Sequence, residues 1–143
     1  MLKYDTDDKN KSLNYDWKLK QDNDSGLWDL EMKDFDVVNV ADIESLRNGI
    51  CIAIMVRYEE LWRNKTYEEF GCRIHELIKA NKSNMVRYKI SKYIENSLKK
   101  IRRIQSVNNI TVTDNPDSNF HSYKVFFDVT SINDETVQGS VIV

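Results

Sequence analysis

The sequence predicts an α+β fold: an N-terminal β-hairpin, three helices of which one is long and basic, and C-terminal β-strands forming a small, mostly antiparallel sheet. Three observations lead there. Trp17 and Leu19, then Trp28, Leu30 and Met32, alternate with charged residues on either side of a polar Gln21–Gly26 loop, which is the period of two expected of a hairpin. Ile43, Leu46, Ile50, Ala53, Ile54, Tyr58 and Leu61 keep a helical spacing, and so do Val86, Ile90, Tyr93, Ile94, Ser97, Leu98 and Ile101. Tyr123, Val125, Phe127 and Val129 then return to strict alternation.

In chain order, residues 1–15 are polar and rich in acids and lysine, as expected of a flexible or partner-ordered arm, and 16–143 are expected to form a single domain. Phe35, Val37, Val38 and Val40 carry extended chain toward the first helix, which should open near Ala41–Ile43 with Asn39 or Asp42 as its cap. Gly49 inside that helix is weaker than alanine by ~1 kcal/mol, so it reads as a place of close packing. Trp62 to Glu69 reads as a connection, and Phe70, Ile74, Leu77 and Ile78 as a short second helix ending near Ala80-Asn81. The third helix, Met85 to Ile101 with Asn84 as cap, should extend ~25 Å. Val107, Ile110 and Val112 suggest a strand, Asp114 to Asn119 a turn, and Val137, Val141, Ile142 and Val143 a β-prone tail. A final strand with nothing behind it to cover its edge invites pairing with another chain.

Composition bounds the function. Of 143 residues, 41% are hydrophobic and 31% charged, which fits a small soluble domain with much exposed surface. Cys51 and Cys72 form neither a CxxC motif nor a disulfide framework, which points to a reducing compartment. No charged-then-apolar leader opens the chain, and the longest apolar run, Ile50 to Val56, falls far short of the ~20 residues that span a bilayer. Synthesis in the cytoplasm, with no membrane partner, is the expectation. The net charge of −2 conceals a strong polarity: residues 1–44 carry 12 acids and 6 bases, whereas residues 82–103 carry 8 bases and one acid, Glu95. Such asymmetry steers association with oppositely charged surfaces.

Catalytic chemistry finds little support. His75 and His121 are the only histidines and lack the companions of a metal motif, and four glycines cannot build a phosphate-cradling loop. The carboxylate pairs Glu59-Glu60 and Glu68-Glu69 do not supply two groups facing each other across a scissile bond, so they read as solvated acids. No catalytic residue, metal or cofactor is assigned, and the protein is expected not to be an enzyme. An alternative to a protein-docking role is a basic-helix nucleic-acid-binding module, in which Arg87, Lys89, Lys92, Lys99, Lys100, Arg102 and Arg103 neutralise phosphates while Tyr88 and Tyr93 stack on bases. No helix-turn-helix, zinc or RNP signature accompanies the basic stretch, which makes nucleic acid the weaker reading.

The order of elements also carries a resemblance. A hairpin opening Asp16-Trp17-Lys18-Leu19, a helix opening Asp42-Ile43-Glu44-Ser45-Leu46-Arg47, a connection to Glu69-Phe70-Gly71 and a helix running through Ile101-Arg102-Arg103-Ile104 into terminal strands resemble the baseplate wedge and sheath-initiator proteins of contractile phage tails, a family long labelled lysozyme-like. The likeness spans Asp16 to Val143. Members carry an aromatic-Gly pair between the first two long helices, matched by Phe70-Gly71. Many also carry a Glu-Pro-Arg tripeptide followed by an aliphatic residue at the end of the third helix. Here Arg103 and Ile104 match, while Ile101 and Arg102 stand in place of the acid and the proline.

The resemblance implies a non-enzymatic structural part of a phage tail or a phage-derived bacteriocin, made in the host cytoplasm and incorporated into the particle in multiple copies in a symmetric ring. It implies a link between the baseplate wedge and the first sheath ring, with sheath assembly started by β-strand augmentation. Sheath subunits and wedge proteins are the implied partners, with tail tube or hub proteins as further ones. The residues expected to meet them are Arg87, Lys92, Lys99, Lys100, Arg102 and Arg103 on and after the basic helix, and Tyr123, Val125, Phe127, Val129, Val137, Val141 and Val143 on the strands. An arginine at the helix end can make bidentate contacts to a partner carboxylate.

Overall fold

The structure is a computed structural model and describes residues 15–23, 25–65, 69–115 and 122–143. The expected arm over 1–15 therefore lies outside the described residues except for Tyr15, as do Glu68, His121 and most of the turn expected after Asp114.

Three C-terminal strands form an antiparallel sheet in the order β7 (Ile104–Asp114), β8 (Tyr123–Ser131) and β9 (Thr136–Ile142). The alternation in β8 does what a period of two requires: Tyr123, Val125, Phe127, Val129 and Ser131 are buried on one face, and the residues between them face outward. The β8–β9 turn is closed by Ser131, whose Oγ accepts the N–H groups of Asn133 at 3.2 Å and Glu135 at 3.3 Å. Asp134 supplies the left-handed residue of this three-residue loop, at φ +62°.

Two helices cover the buried face. Helix α1 (Asp42–Met55) contributes Leu46, Ile50 and Ile54, and α2 (Asn84–Lys99) contributes Ile90, Ile94 and Leu98, each set at successive turns and wholly inaccessible to solvent. Burying one such side chain is worth about 1.5–3 kcal/mol, so this shared core, more than any local propensity, holds the helices in place.

The α+β class and an antiparallel C-terminal sheet are thus present, but the helix inventory differs from expectation. The segment expected as a second helix contains only a 3₁₀ turn, Arg73–Glu76. Gly71, at φ +111°, breaks the chain just before it, and four apolar residues are too few to sustain a free helix. The backbone is held instead by a parallel bridge, in which Cys72 N–H donates to Val56 at 2.9 Å and Tyr58 N–H donates to Cys72 at 3.2 Å. That bridge also ends α1 at Met55, well before Leu61. Neither expected cap is used there: Asn39 lies in a strand, Asp42 is the first helical residue, and Ala41 precedes it with no side-chain bond. Helix α2 is capped by Ser83, whose Oγ accepts the Val86 N–H at 3.2 Å, and not by Asn84.

Among the described residues the N-terminal layer holds six short strands: β1 (Tyr15–Trp17), β2 (Leu19–Gln21), β3 (Trp28–Leu30), β4 (Met32–Lys33), β5 (Asp36–Val37) and β6 (Asn39–Ala41). The expected hairpin is the β2–β3 pair, while β1 pairs with β6 and β4 with β5. The three ladders meet where Lys18 N–H donates to Val38, Val38 N–H to Glu31 and Glu31 N–H to Lys18, at 2.7–2.9 Å. A Lys18–Glu31 ion pair at 2.8 Å fixes the same junction.

Candidate functional site

A sheet docks other chains through its free edges, so the state of each edge matters most. In β8 the odd-numbered residues bond toward β9, since Tyr123 and Val143 exchange both N–H···O bonds at 2.8 and 2.9 Å. By alternation Ile142, Ser140 and Gln138 of β9 turn their backbone groups outward. Gln21 fills the first of these positions: Nε2 donates to the Ile142 carbonyl and the Ile142 N–H donates to Oε1, both at 2.9 Å. Arg47 Nε donates to the Gln138 carbonyl at 2.8 Å, and its guanidinium also pairs with Glu44. Side chains of the N-terminal layer and of α1 therefore occupy much of the C-terminal edge.

The opposite edge differs. Lys124 and Phe126 pair with Thr113 and Thr111, so Ile110, Val112 and Asp114 turn their backbone groups away from the sheet. Among the described residues, none of these outward groups has a hydrogen-bond partner. Register irregularities between Ile104 and Ser106 and between Val107 and Asn109 twist the first half of β7, leaving Asn109–Asp114 as its regular half. Ile110 and Val112 pack against the core behind this edge, while Thr111 and Thr113 stand on the open face. An extended segment could add there with its backbone groups matched by those of β7. Sequence patterning marks Val107, Ile110 and Val112 as a strand but holds no signal of which strand lies at the edge.

The strand residues expected to contact partners take a different place. Tyr123, Val125, Phe127, Val129, Val137 and Val141 are buried in the protein's own core, and Val143 packs against it. A partner would meet a backbone edge and not these side chains. Phe127 is further engaged with Gly139 across the ladder, where a Cβ would lie 2.5 Å from the Phe127 ring.

The basic residues are spread along α2 from its first turn, at Arg87, to the segment beyond its last, at Lys100–Arg103, and several are already matched. Arg87 Nη1 lies 3.1 Å from Asp114 and Nη2 donates to Asn84 at 2.6 Å. Lys92 and Lys99 straddle Glu95 at 3.1 and 2.8 Å, and hydrogen bonds from these lysines, Lys99 first, hold the Glu95 carboxyl below its ordinary range. Lys100 sits 5.3 Å from the Tyr58 ring centre, and Arg73 lies 4.5 Å from the same ring. Arg102 is exposed with no acidic partner among the described residues. Arg103 turns inward: its guanidinium lies on Gly49 of α1, its Nη1 is 3.4 Å from Ser45 Oγ, and burial lowers its pKa against the opposing pull of Asp16. The expected close packing at Gly49 is thus contact with this arginine.

Arg103 also borders a cleft of about 430 Å³ between α1, Leu61, Glu69, Phe70 and Gly71 of the connection that follows it, and the end of α2. Ile52, Val56, Leu61 and Phe70 form its apolar walls, and Lys100, Asp16 and Glu69 are its other charged neighbours.

Glu59 and Glu60 are exposed, and Glu60 Oε2 accepts the Arg57 N–H at 3.0 Å, a structural turn contact. Cys51 is buried, which pushes its thiol up to about 12, and burial raises Cys72 as well. Such thiols stay protonated and unreactive. Burial, and then Arg57, lower the His75 pKa. Among the described residues, no group of three or more His, Cys, Asp or Glu could hold a metal ion, and no helix is long and apolar enough to cross a membrane.

No protein-family model matches the chain, and no curated protein matches it significantly.

Proposed function

We propose that this protein is a structural, non-enzymatic component of a contractile tail baseplate that joins the wedge to the first sheath ring and initiates sheath assembly by β-strand augmentation. The observation that carries the reading is the asymmetry of the C-terminal sheet: Gln21 and Arg47 occupy the β9 edge, while Ile110–Asp114 of β7 offers an outward row of backbone groups. The augmenting edge is therefore β7, and the C-terminal strand serves the core. Each main-chain bond added on this edge contributes about 0.5–1.5 kcal/mol, and repetition around a ring multiplies the effect. Lys100 and Arg102 remain as cations for an acidic surface of the wedge or the sheath. The pairing of Arg87, Lys92 and Lys99 with acids of this chain favours protein docking over phosphate binding.

Two matched proline substitutions test the assignment. Val112→Pro removes an outward N–H from β7, and Ser140→Pro removes one from β9; neither touches a bond to β8. In producing cells expressing each variant, electron microscopy should show bare tubes or arrested baseplates for Val112→Pro and full sheaths for Ser140→Pro. The reverse pattern returns the docking edge to β9, and full sheaths from both variants would refute augmentation.

A further inference from the structure

We propose that the recess between Tyr58, the Arg73 turn and the end of α2 binds a phosphate monoester, whose phosphoryl group bridges Arg73 and Lys100. The recess measures about 470 Å³, and Tyr58, Arg73, Tyr93, Asn96, Lys99 and Lys100 stand on its walls. Among the described residues it is lined by three cations and no carboxylate, unlike the neighbouring cleft, which carries both signs. Lys99 is committed to Glu95 at 2.8 Å, but neither Arg73 nor Lys100 has an acidic partner among the described residues. Both are drawn instead to one ring, with Arg73 Cζ 4.5 Å and Lys100 Nζ 5.3 Å from the centre of Tyr58. Two like charges held that close to one ring repel each other, and an anion that meets both relieves the repulsion.

The backbone fixes these walls before any ligand arrives. Tyr58 N–H donates to the carbonyl of the buried Cys72 at 3.2 Å, which holds Tyr58 beside the Arg73 turn. Ser97 Oγ donates to the Gly71 carbonyl at 2.9 Å and ties the end of α2 to the same bridge. Two unmatched cations call for an anion of two charges. A phosphate monoester carries about −1.5 to −2 at neutral pH and three acceptor oxygens, enough for the guanidinium fork, the ammonium and the Asn96 amide, whereas a carboxylate brings one charge and two oxygens. The carbonyl end of α2 opposes an anion with about half a charge, which the two whole cations outweigh. A nucleic-acid backbone spreads single charges over many phosphates and needs a row of free cations, which the pairing of Arg87, Lys92 and Lys99 denies it. The site shares Lys100 with the acidic-surface contact proposed above but takes no part of the β7 edge, so either reading can fail alone.

The test is titration of the full chain with sodium phosphate, followed by two-dimensional amide NMR at an ionic strength held constant with sodium chloride. Saturable shifts are expected around Tyr58, Arg73 and Asn96–Lys100, and acetate should bind about 10-fold more weakly or worse. Arg73→Gln and Lys100→Gln, both at exposed positions, should each weaken phosphate binding about 10-fold or more. Arg102→Gln removes the same charge outside the recess and should leave binding unchanged. N-acetylphosphoserine amide and adenosine monophosphate should both bind more tightly than inorganic phosphate, and the tighter of the two identifies a phosphorylated chain or a nucleotide as the source of the monoester. The proposal is overturned if phosphate gives no saturable shift, if acetate binds as tightly, or if Arg102→Gln weakens binding as much as the two recess variants do.

Discussion

Gln21 and Ile142 lie 121 positions apart in the chain and are joined as strand neighbours are, the side-chain amide giving one hydrogen bond to the Ile142 carbonyl and taking one from its N–H, both at 2.9 Å. A carboxamide carries the same donor and acceptor as a peptide group, so one side chain closes the edge that a further strand would otherwise extend. The same Nε2 donates to Gly26 at 2.9 Å, tying the β2–β3 loop to the C-terminal sheet.

Gln21→Ala should therefore destabilise the protein by about 1–3 kcal/mol, because it leaves a partly buried donor and acceptor of Ile142 without their partner. Urea denaturation should show a lower midpoint with an unchanged slope. Gln21→Glu keeps the acceptor but sets a carboxylate against the Ile142 carbonyl, and its midpoint should fall at least as far.

Removal of Val137–Val143 should abolish cooperative unfolding altogether. Val137 and Val141 are fully buried, and their loss strips one side of β8 of its ladder and exposes Val125 and Val129. Each deleted core side chain costs about 2–5 kcal/mol, more in sum than a domain of this size can spare. The truncated chain should lose its near-ultraviolet circular dichroism and show no thermal transition.

Strand β8 and helix α2 are legible in the sequence because burial on one face writes a strict period into them. Val125, Phe127 and Val129 alternate, and Ile90, Ile94 and Leu98 recur every fourth residue. The connection after α1 misleads because Phe70, Ile74, Leu77 and Ile78 serve a 3₁₀ turn as well as a helix, and the deciding factor is the left-handed backbone at Gly71. Edge status is not legible at all. It depends on Gln21 and Arg47 reaching across 121 and 91 positions of chain, and neither contact leaves a local pattern. The terminal valines look available for a partner because their composition fits an edge strand, yet the same residues fit a core, and the helices claim them first.

The pH dependence of stability should carry a contribution from His75. Burial and the nearby Arg57 lower its folded-state pKa, whereas the Met55 backbone and Glu60 oppose the shift. With the folded value below the unfolded value of about 6.5, the unfolded chain binds the proton more readily. Stability from this residue is thus complete above the unfolded pKa and is lost as pH falls through the folded one. Urea midpoints measured downward from neutral pH should decline, and His75→Gln should flatten that part of the profile.

Two glycines should respond to alanine in opposite ways. At Gly71 a Cβ would lie 2.5 Å from the Arg57 carbonyl oxygen on a backbone at φ +111°, and neither the carbonyl nor the dihedral can yield without breaking the Arg57–Cys72 bridge. Gly71→Ala should cost about 3 kcal/mol or more. At Gly49 the obstacle is the Arg103 guanidinium, the mobile end of a long side chain, and alanine gains about 1 kcal/mol of helix propensity. Gly49→Ala alone should therefore be close to neutral. In an Arg103→Ala background the obstacle is gone, and the same substitution should stabilise by about 0.8–1 kcal/mol. A double-mutant cycle by urea denaturation reads this coupling directly, and strict additivity would mean that Arg103 does not pack on α1 at Gly49.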